Sequence, residues 1–245
     1  MSFPILSTII FSPLVGALLI LLIPEKRATA IRVVAAGSTF VSLSLAIYLL
    51  FAYDKVKAGL QFVQNIPWIS YFGANYHLAA DGMSIAMILL TSFVIFAGVF
   101  ASWRQENRQK EFFIFLLTLV TGVFGVFSSF DLFLFFMFYE LAVIPMYLLI
   151  GVWGSTRKEY AAMKLTLYLL MGSAFLLVGM LILYFNTGLK TFDLVALQNF
   201  KFTPEFQKFV FPFLFFGFAF LVPMWPFHTW SPDGHVAAPT AVSML

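Results

Sequence analysis

Cysteine is absent from the chain, and histidine occurs three times. The first absence excludes disulfides, cysteine-ligated iron–sulfur clusters and thiolate zinc sites. The second leaves little for metal ligation. Charge is scarce too: Asp, Glu, Lys and Arg make up 10% of 245 residues, against about a quarter in a soluble domain. The net charge is only +3, with no basic stripe carrying interleaved aromatics, so nucleic-acid binding is not expected. What fills the chain is apolar: 62% hydrophobic residues, 33 Phe and a mean hydropathy of +0.96. Such a surface suits lipid rather than water.

Seven long apolar stretches are expected to cross a bilayer: residues 3–23, 33–51, 83–103, 112–128, 132–152, 165–184 and 209–227. Each is continuous and close to the ~20 residues a spanning helix needs. A lipid-facing barrel would show alternating segments of ~10 residues instead. The first stretch has no basic residue ahead of it and is too long for a cleavable signal core, so it reads as a retained helix. The expected fold class is an all-α polytopic membrane protein, one domain without linker or soluble appendage. Lys and Arg in the connections orient it. Lys26, Arg27 and Arg32, then Arg104, Arg108 and Lys110, then Arg157, Lys158 and Lys164 fall on one side. Lys55, Lys57, Lys190, Lys201 and Lys208 fall on the other. The first side is expected to be cytoplasmic and the N-terminus outside, in a bacterial inner membrane.

The outer connections are long. Residues 53–81 carry Trp68, Tyr71, Phe72 and Tyr76, suited to an interfacial belt, and His77, expected to be solvated. Residues 191–200 (TFDLVALQNF) read as a short surface helix with Thr191 at its N-cap.

Glu140 lies near the middle of the fifth stretch. A carboxylate there is neutral, paired, or facing water inside the protein. Two readings stand: a protonated acid clamping two helices, or a proton carrier. Burial favours the neutral acid and a nearby cation favours the ionised form. A carboxylate whose proton affinity follows a movable partner carries protons. Pro145, five residues on, either kinks the helix or loosens its hydrogen-bond ladder. Lys164 opens the sixth stretch, where the ordinary role of Lys is a snorkelling anchor. Residues 128–131 read as a tight turn, with Asp131 capping the fifth helix.

The run VPMWPFHTWSPDGHVAAPT, residues 222–240, holds Pro223, Pro226, Pro232 and Pro239, which cannot share one regular helix. It also holds His228, Trp230, Asp233 and His235. Either this is a broken helix beside a transport path, or it is a loop at the cytoplasmic surface. A zinc or haem site is disfavoured, since Pro232 separates the two histidines and no third ligand is evident.

Three blocks, FYELAVIPMYLLIGVWG, RKEYAAMKLTLYLLMGSAFLL and VPMWPFHTWSPDGHVAAPTAVSML, together resemble the antiporter-like subunits of respiratory complex I, the M type (chain 4 in the mitochondrial enzyme) above all. Mrp-type sodium/proton antiporter subunits share the same core. LAADGMSIAMILLTSF is similar to the family segment entering the third span. The similarity covers nearly the whole chain.

The resemblance implies a fold of about fourteen spanning helices built from two inverted five-helix repeats, each with a broken helix. Residues 1–110 would supply helices one to three with a long outer loop. Residues 111–245 would supply an incomplete first antiporter repeat, helices four to seven and the start of the next. It also implies a proton-translocating membrane subunit of an NADH:quinone oxidoreductase, part of an enzyme complex through its partner membrane subunits. Electron transfer would take place on other subunits, with no redox chemistry and no cofactor on this chain. Glu140 takes the place of the family's fifth-helix Glu. Lys164 matches a recurrent sixth-helix Lys, and His228 and His235 match the broken-helix loop. Pro145, Pro223, Pro226 and Pro232 are the helix-breaking positions.

Two departures stand out. The family's seventh-helix Lys, the partner of that Glu, falls at Leu221, and residues 209–245 contain no Lys. Glu140 is then left to pair with Lys164 or with a residue beyond this sequence, or the half-channel conducts poorly. A complete family member is also about twice as long, so the sequence reads as a fragment, a split gene product or a truncated reading frame. A Mrp-type cation/proton antiporter subunit and a degenerate structural membrane subunit are the alternative functions.

Overall fold

In lipid a segment must satisfy its own backbone groups, and the apolar runs do so as helices. The computed structural model describes residues 4–57 and 59–245. Six helices among them are long and apolar enough to cross a membrane: α1 (Ile5–Leu22), α2 (Ala28–Ala52), α3 (Gly82–Ala101), α4 (Gln109–Ser128), α5 (Leu132–Trp153) and α6 (Lys158–Thr187). A two-stranded hairpin, β1 (Gln61–Ile69) and β2 (Ala74–Ala80), stands between α2 and α3. After α6 come the short α7 (Leu194–Gln198), then α8 (Pro204–Leu221), a 3-10 turn at Phe227–Thr229, α9 (Trp230–Ala237) and α10 (Thr240–Ser243).

The seventh expected span is displaced. α8 starts earlier, behind a Thr203 cap and with Pro204 in its first turn, so Glu205 and Lys208 lie inside the helix. It stops at Leu221 because Pro223 offers no N–H and disfavours helical backbone at Val222.

α4 is the hub of the bundle, packed by α1, α5, α3 and α2, with Phe112, Phe113 and Phe124 wholly buried. The helices around it leave apolar side chains outward, Leu22 and Phe51 among them, as helices in lipid do. Close packing rather than water exclusion holds such helices together. At Gly122 a Cβ would lie 2.8 Å from the Phe138 carbonyl, so glycine is what lets α4 approach α5 beside Glu140. α6 packs on α5 and α8, α9 on α6, and α10 on α3.

The three basic connections share one end of the bundle. There Lys110 Nζ donates to the Leu21 carbonyl at 2.9 Å, Lys158 Nζ to that of Val152 at 2.8 Å, and Trp153 Nε1 to that of Asn107 at 2.7 Å. Each lysine neutralises free carbonyls at a helix C-terminus. The far end of α9 reaches the same side, where Ser155 N donates to the Ala237 carbonyl at 2.8 Å.

The opposite end departs from the all-helical expectation. The 53–81 connection folds into the antiparallel hairpin, with Asn65 opposite His77 and Ile66 opposite Tyr76. Its turn ends on Gly73 at φ +63°, where a Cβ would collide with the Lys190 carbonyl. Residues 128–131 are not a tight turn. Ser128 closes α4 and residues 129–131 run on as strand-like backbone, Ser129 bridging Leu78 of β2 and Asp131 bridging Asp193. Phe130 N donates to the His77 carbonyl at 2.8 Å, and Leu194 N to that of Phe130 at 2.9 Å. The short surface helix is present as α7, but its N-cap is Asp193. Thr191 Oγ1 instead accepts from Asp193 N at 3.2 Å.

Candidate functional site

α5 begins at a firm cap. Asp131 Oδ1 accepts from Phe133 N at 3.0 Å and Leu134 N at 3.1 Å, the helix-start role expected for it. Eight residues on, Tyr139 Oη donates to the Leu169 carbonyl at 3.2 Å and ties α5 to α6. Glu140 follows, half-buried. Its Oε1 is shut off from solvent and has no hydrogen-bond partner among the described residues. The helix-clamp reading requires such a bond, and none forms to Glu140 within this chain's described residues.

Glu140 borders a cavity of about 550 Å³. Leu134, Met137, Leu141 and Ile144 of α5 and Phe11 of α1 form its wall, and Trp68 and Tyr76 of the hairpin roof it. Among the described residues Glu140 is the one charged side chain on that wall. Pro145 is buried inside α5, which runs through it without a break, and it withholds a donor from the Leu141 carbonyl.

Lys164 pairs elsewhere. Its Nζ lies 2.7 Å from Asp233 Oδ2 on α9 and 5.7 Å from the centre of the Tyr160 ring, with the Lys side chain only 18% exposed. It is therefore neither a free snorkelling anchor nor the direct partner of Glu140. Depth explains the second point. α5 ends and α6 begins on the basic side, Glu140 thirteen residues before Trp153 and Lys164 six after Lys158. At 1.5 Å per residue about 10 Å of height separates them. That is too far for an ion pair, yet within reach of Coulomb coupling in a dry interior.

The break after α8 is held by backbone-directed bonds. Trp230 is buried and donates from Nε1 to the Phe220 carbonyl at 2.9 Å, and Met224 N donates to that of Ala219 at 3.1 Å. Pro223 and Pro226 lie within the non-α stretch, residues 222–229, and Pro232 sits in the first turn of α9, where a missing N–H is tolerated. His228 is exposed on the 3-10 turn. His235 is exposed too, its Nδ1 3.2 Å from Ser243 Oγ. Leu221 ends α8 as an apolar, half-buried side chain.

His77 reverses its expectation. It is 5% exposed, and its Nδ1 lies 2.7 Å from Asp193 Oδ2. Asp131 and Asp193 work as twins. Each spends Oδ1 on capping a helix, α5 or α7, and turns Oδ2 to β2. Asp131 Oδ2 accepts from Asn75 N at 3.1 Å, and Asp193 Oδ2 from His77. Burial pushes the Asp131 carboxyl above the usual carboxylate range; the Asn75, Leu134 and Phe133 N–H groups oppose the rise and the nearby Asp193 adds to it. The Tyr76 hydroxyl is likewise raised by burial, opposed by its 2.8 Å contact with Ser7. The alternation in NYHLAA was the available sign that His77 sits on a strand. Its partner lies 116 residues away.

Residues 129–245 match a family described as NADH:quinone oxidoreductase/Mrp antiporter, TM. The chain is 38% identical over 258 residues to NADH-quinone oxidoreductase subunit M of Rhodobacter capsulatus, covering 98% of this chain and 50% of that protein. It is 37% identical over 242 residues to NADH-ubiquinone oxidoreductase chain 4 of Arabidopsis thaliana, covering 98% and 48%. The chain thus spans about half the length of the curated relatives it matches. A chain of respiratory complex I from Thermus thermophilus with bound NADH superposes with a TM-score of 0.85 at 26% identity, over 98% of this chain and 49% of that one. A chain of the Mrp complex from Dietzia sp. DQ12-45-1b shares the fold, with a TM-score of 0.80 at 19% identity over 98% and 25%.

Proposed function

Because this chain matches the family of NADH-quinone oxidoreductase subunit M and Mrp-type antiporter subunits, we propose that it is a proton-translocating membrane subunit of a complex I-type NADH:quinone oxidoreductase. Electron transfer takes place on partner subunits, and this chain moves protons in response. Residues 111–245 act as part of the first of two inverted repeats in a fourteen-helix fold, the segment around Pro223, Pro226 and Pro232 being its helix break. The subunit sits in an inner membrane with its N-terminus on the outer side, the hairpin side.

The observation that carries this reading is the mid-span Oε1 of Glu140, which has no hydrogen-bond partner among the described residues. A carboxyl there takes or loses a proton as the charge around it changes, and the dry surroundings make that coupling strong. With Leu221 in place of a seventh-helix cation, the Lys164–Asp233 pair at the break is the charge this chain supplies. Opening and closing that pair alters the field at Glu140 across about 10 Å. His228 and His235, exposed beside the break, exchange protons with the cytoplasmic side. In the intact assembly Glu140→Gln is expected to lower proton translocation far more than it lowers assembly. An unchanged proton-to-electron stoichiometry would overturn the proposal.

The matched family also takes in Mrp antiporters, which supports a second reading as a cation/proton antiporter subunit. Sodium-dependent proton flux in vesicles separates the two. Leu221 favours a third, structural role, for which an inert Glu140→Gln substitution is the mark.

A further inference from the structure

Three consecutive residues of β2 reach three different places. Asn75 N donates to Asp131, the cap of the Glu140 helix. Tyr76 roofs the Glu140 cavity and meets Ser7 of α1 at 2.8 Å. His77 meets Asp193, the cap of α7, at 2.7 Å. Successive strand side chains point to opposite faces, so Tyr76 and His77 cannot turn independently. Whatever fixes His77 fixes the roof over Glu140.

The His77 bond is a buried one: its side chain is 6% exposed and that of Asp193 12%. A carboxylate can only accept, so the imidazole Nδ1 donates. Breaking such a bond strands a buried carboxylate. The titratable groups packed about it are Tyr76 on the same strand, Asp131 ahead of α5 and Asp193 ahead of α7.

We propose that His77 and Asp193 are positioning residues for Glu140, acting through β2 to hold Tyr76 and Trp68 over the Glu140 cavity and Asn75 on the α5 cap. The proposal rests on Glu140 being the proton-carrying group. Nothing in it requires His77 to titrate. The bond sets where the strand lies, and the strand sets how wet the cavity is.

The test compares His77→Phe, which keeps the ring volume and loses the donor, with His77→Asn, whose amide N–H stands near the place of Nδ1. Both are made in the intact assembly beside Glu140→Gln. The expected result is a proton flux about tenfold lower in His77→Phe, as for loss of an oriented contact to a buried charge, with a displaced pH profile. His77→Asn is expected to restore both rate and profile. Equal effects of the two variants, or an unmoved pH profile in His77→Phe, would overturn the proposal. If His77→Phe does not assemble, the pair Leu78→Cys/Ser129→Cys is added. The chain has no other cysteine, and bridged strand residues lie within disulfide range. Closing that disulfide is expected to recover assembly and flux together, whereas assembly without flux would overturn the proposal. An inert Glu140→Gln instead defeats the transport assignment itself, which keeps the two failures apart.

Discussion

The chain buries carboxyl groups in two settings. Asp131 and Asp193, at the hairpin end, are saturated: each caps a helix with one oxygen and holds β2 with the other. Glu140, at mid-depth, has an oxygen with no hydrogen-bond partner among the described residues. Saturated carboxylates are architecture, because each oxygen already holds a backbone group or side chain in place. An unsaturated one is free to change charge, and the fold around it has to supply the response.

The largest effect that would sharpen this contrast is at the unsaturated site. Glu140→Gln should lower proton flux by about a hundredfold, the usual range for losing a proton-transfer group. Its thermal unfolding in detergent should match the parent. Asp131→Ala should do the reverse, destabilising the fold by about 1–2 kcal/mol through the lost cap, measured as a lower unfolding temperature. A stable Asp131→Ala protein would erase the distinction between the two settings.

The Lys164–Asp233 pair is intermediate. It is bonded, but Asp233 is 45% exposed. Solvent screening holds its worth to about 1 kcal/mol or less, so Asp233→Asn should leave stability almost unchanged while slowing flux several-fold. Equal flux in parent and variant would remove the break from the mechanism.

The smallest effect concerns acidity. Burial holds the Asp131 carboxyl above its ordinary value, so the folded chain keeps that proton more tightly than the unfolded chain. Its contribution to stability is full below the ordinary carboxylate range, near about pH 4. It is lost as pH rises through the higher folded-state value. Asp131→Asn should flatten that part of the curve of unfolding temperature against pH. Parallel curves for the two proteins would count against it.

The spans were legible because lipid imposes a length and an apolar composition that no other setting demands. Glu140 was legible for the same reason, as a charge where charge is disfavoured. The polar web at the hairpin end was not. Pro67 interrupts the alternation of β1, a bulge falls between Gln61 and Gln64, and the decisive pairings join residues more than fifty positions apart. Thr191 and Asp193 both suit an N-cap. Only the approach of β2 and the 129–131 segment decides that Asp193 takes the position. Lys164 could be placed at a helix start, but its partner lies across a break whose path the prolines alone do not dictate.

α6 has thirty residues, about 45 Å of helix, against a hydrocarbon slab of about 30 Å. The surplus is not idle height. It raises the strand-like stretch around Asp193 to the storey where the hairpin waits, as a pier raises a deck. Removing a single turn would lower that landing by about 5 Å and rotate it away from the hairpin. The membrane's own thickness is thereby among the dimensions to which this end of the molecule is cut.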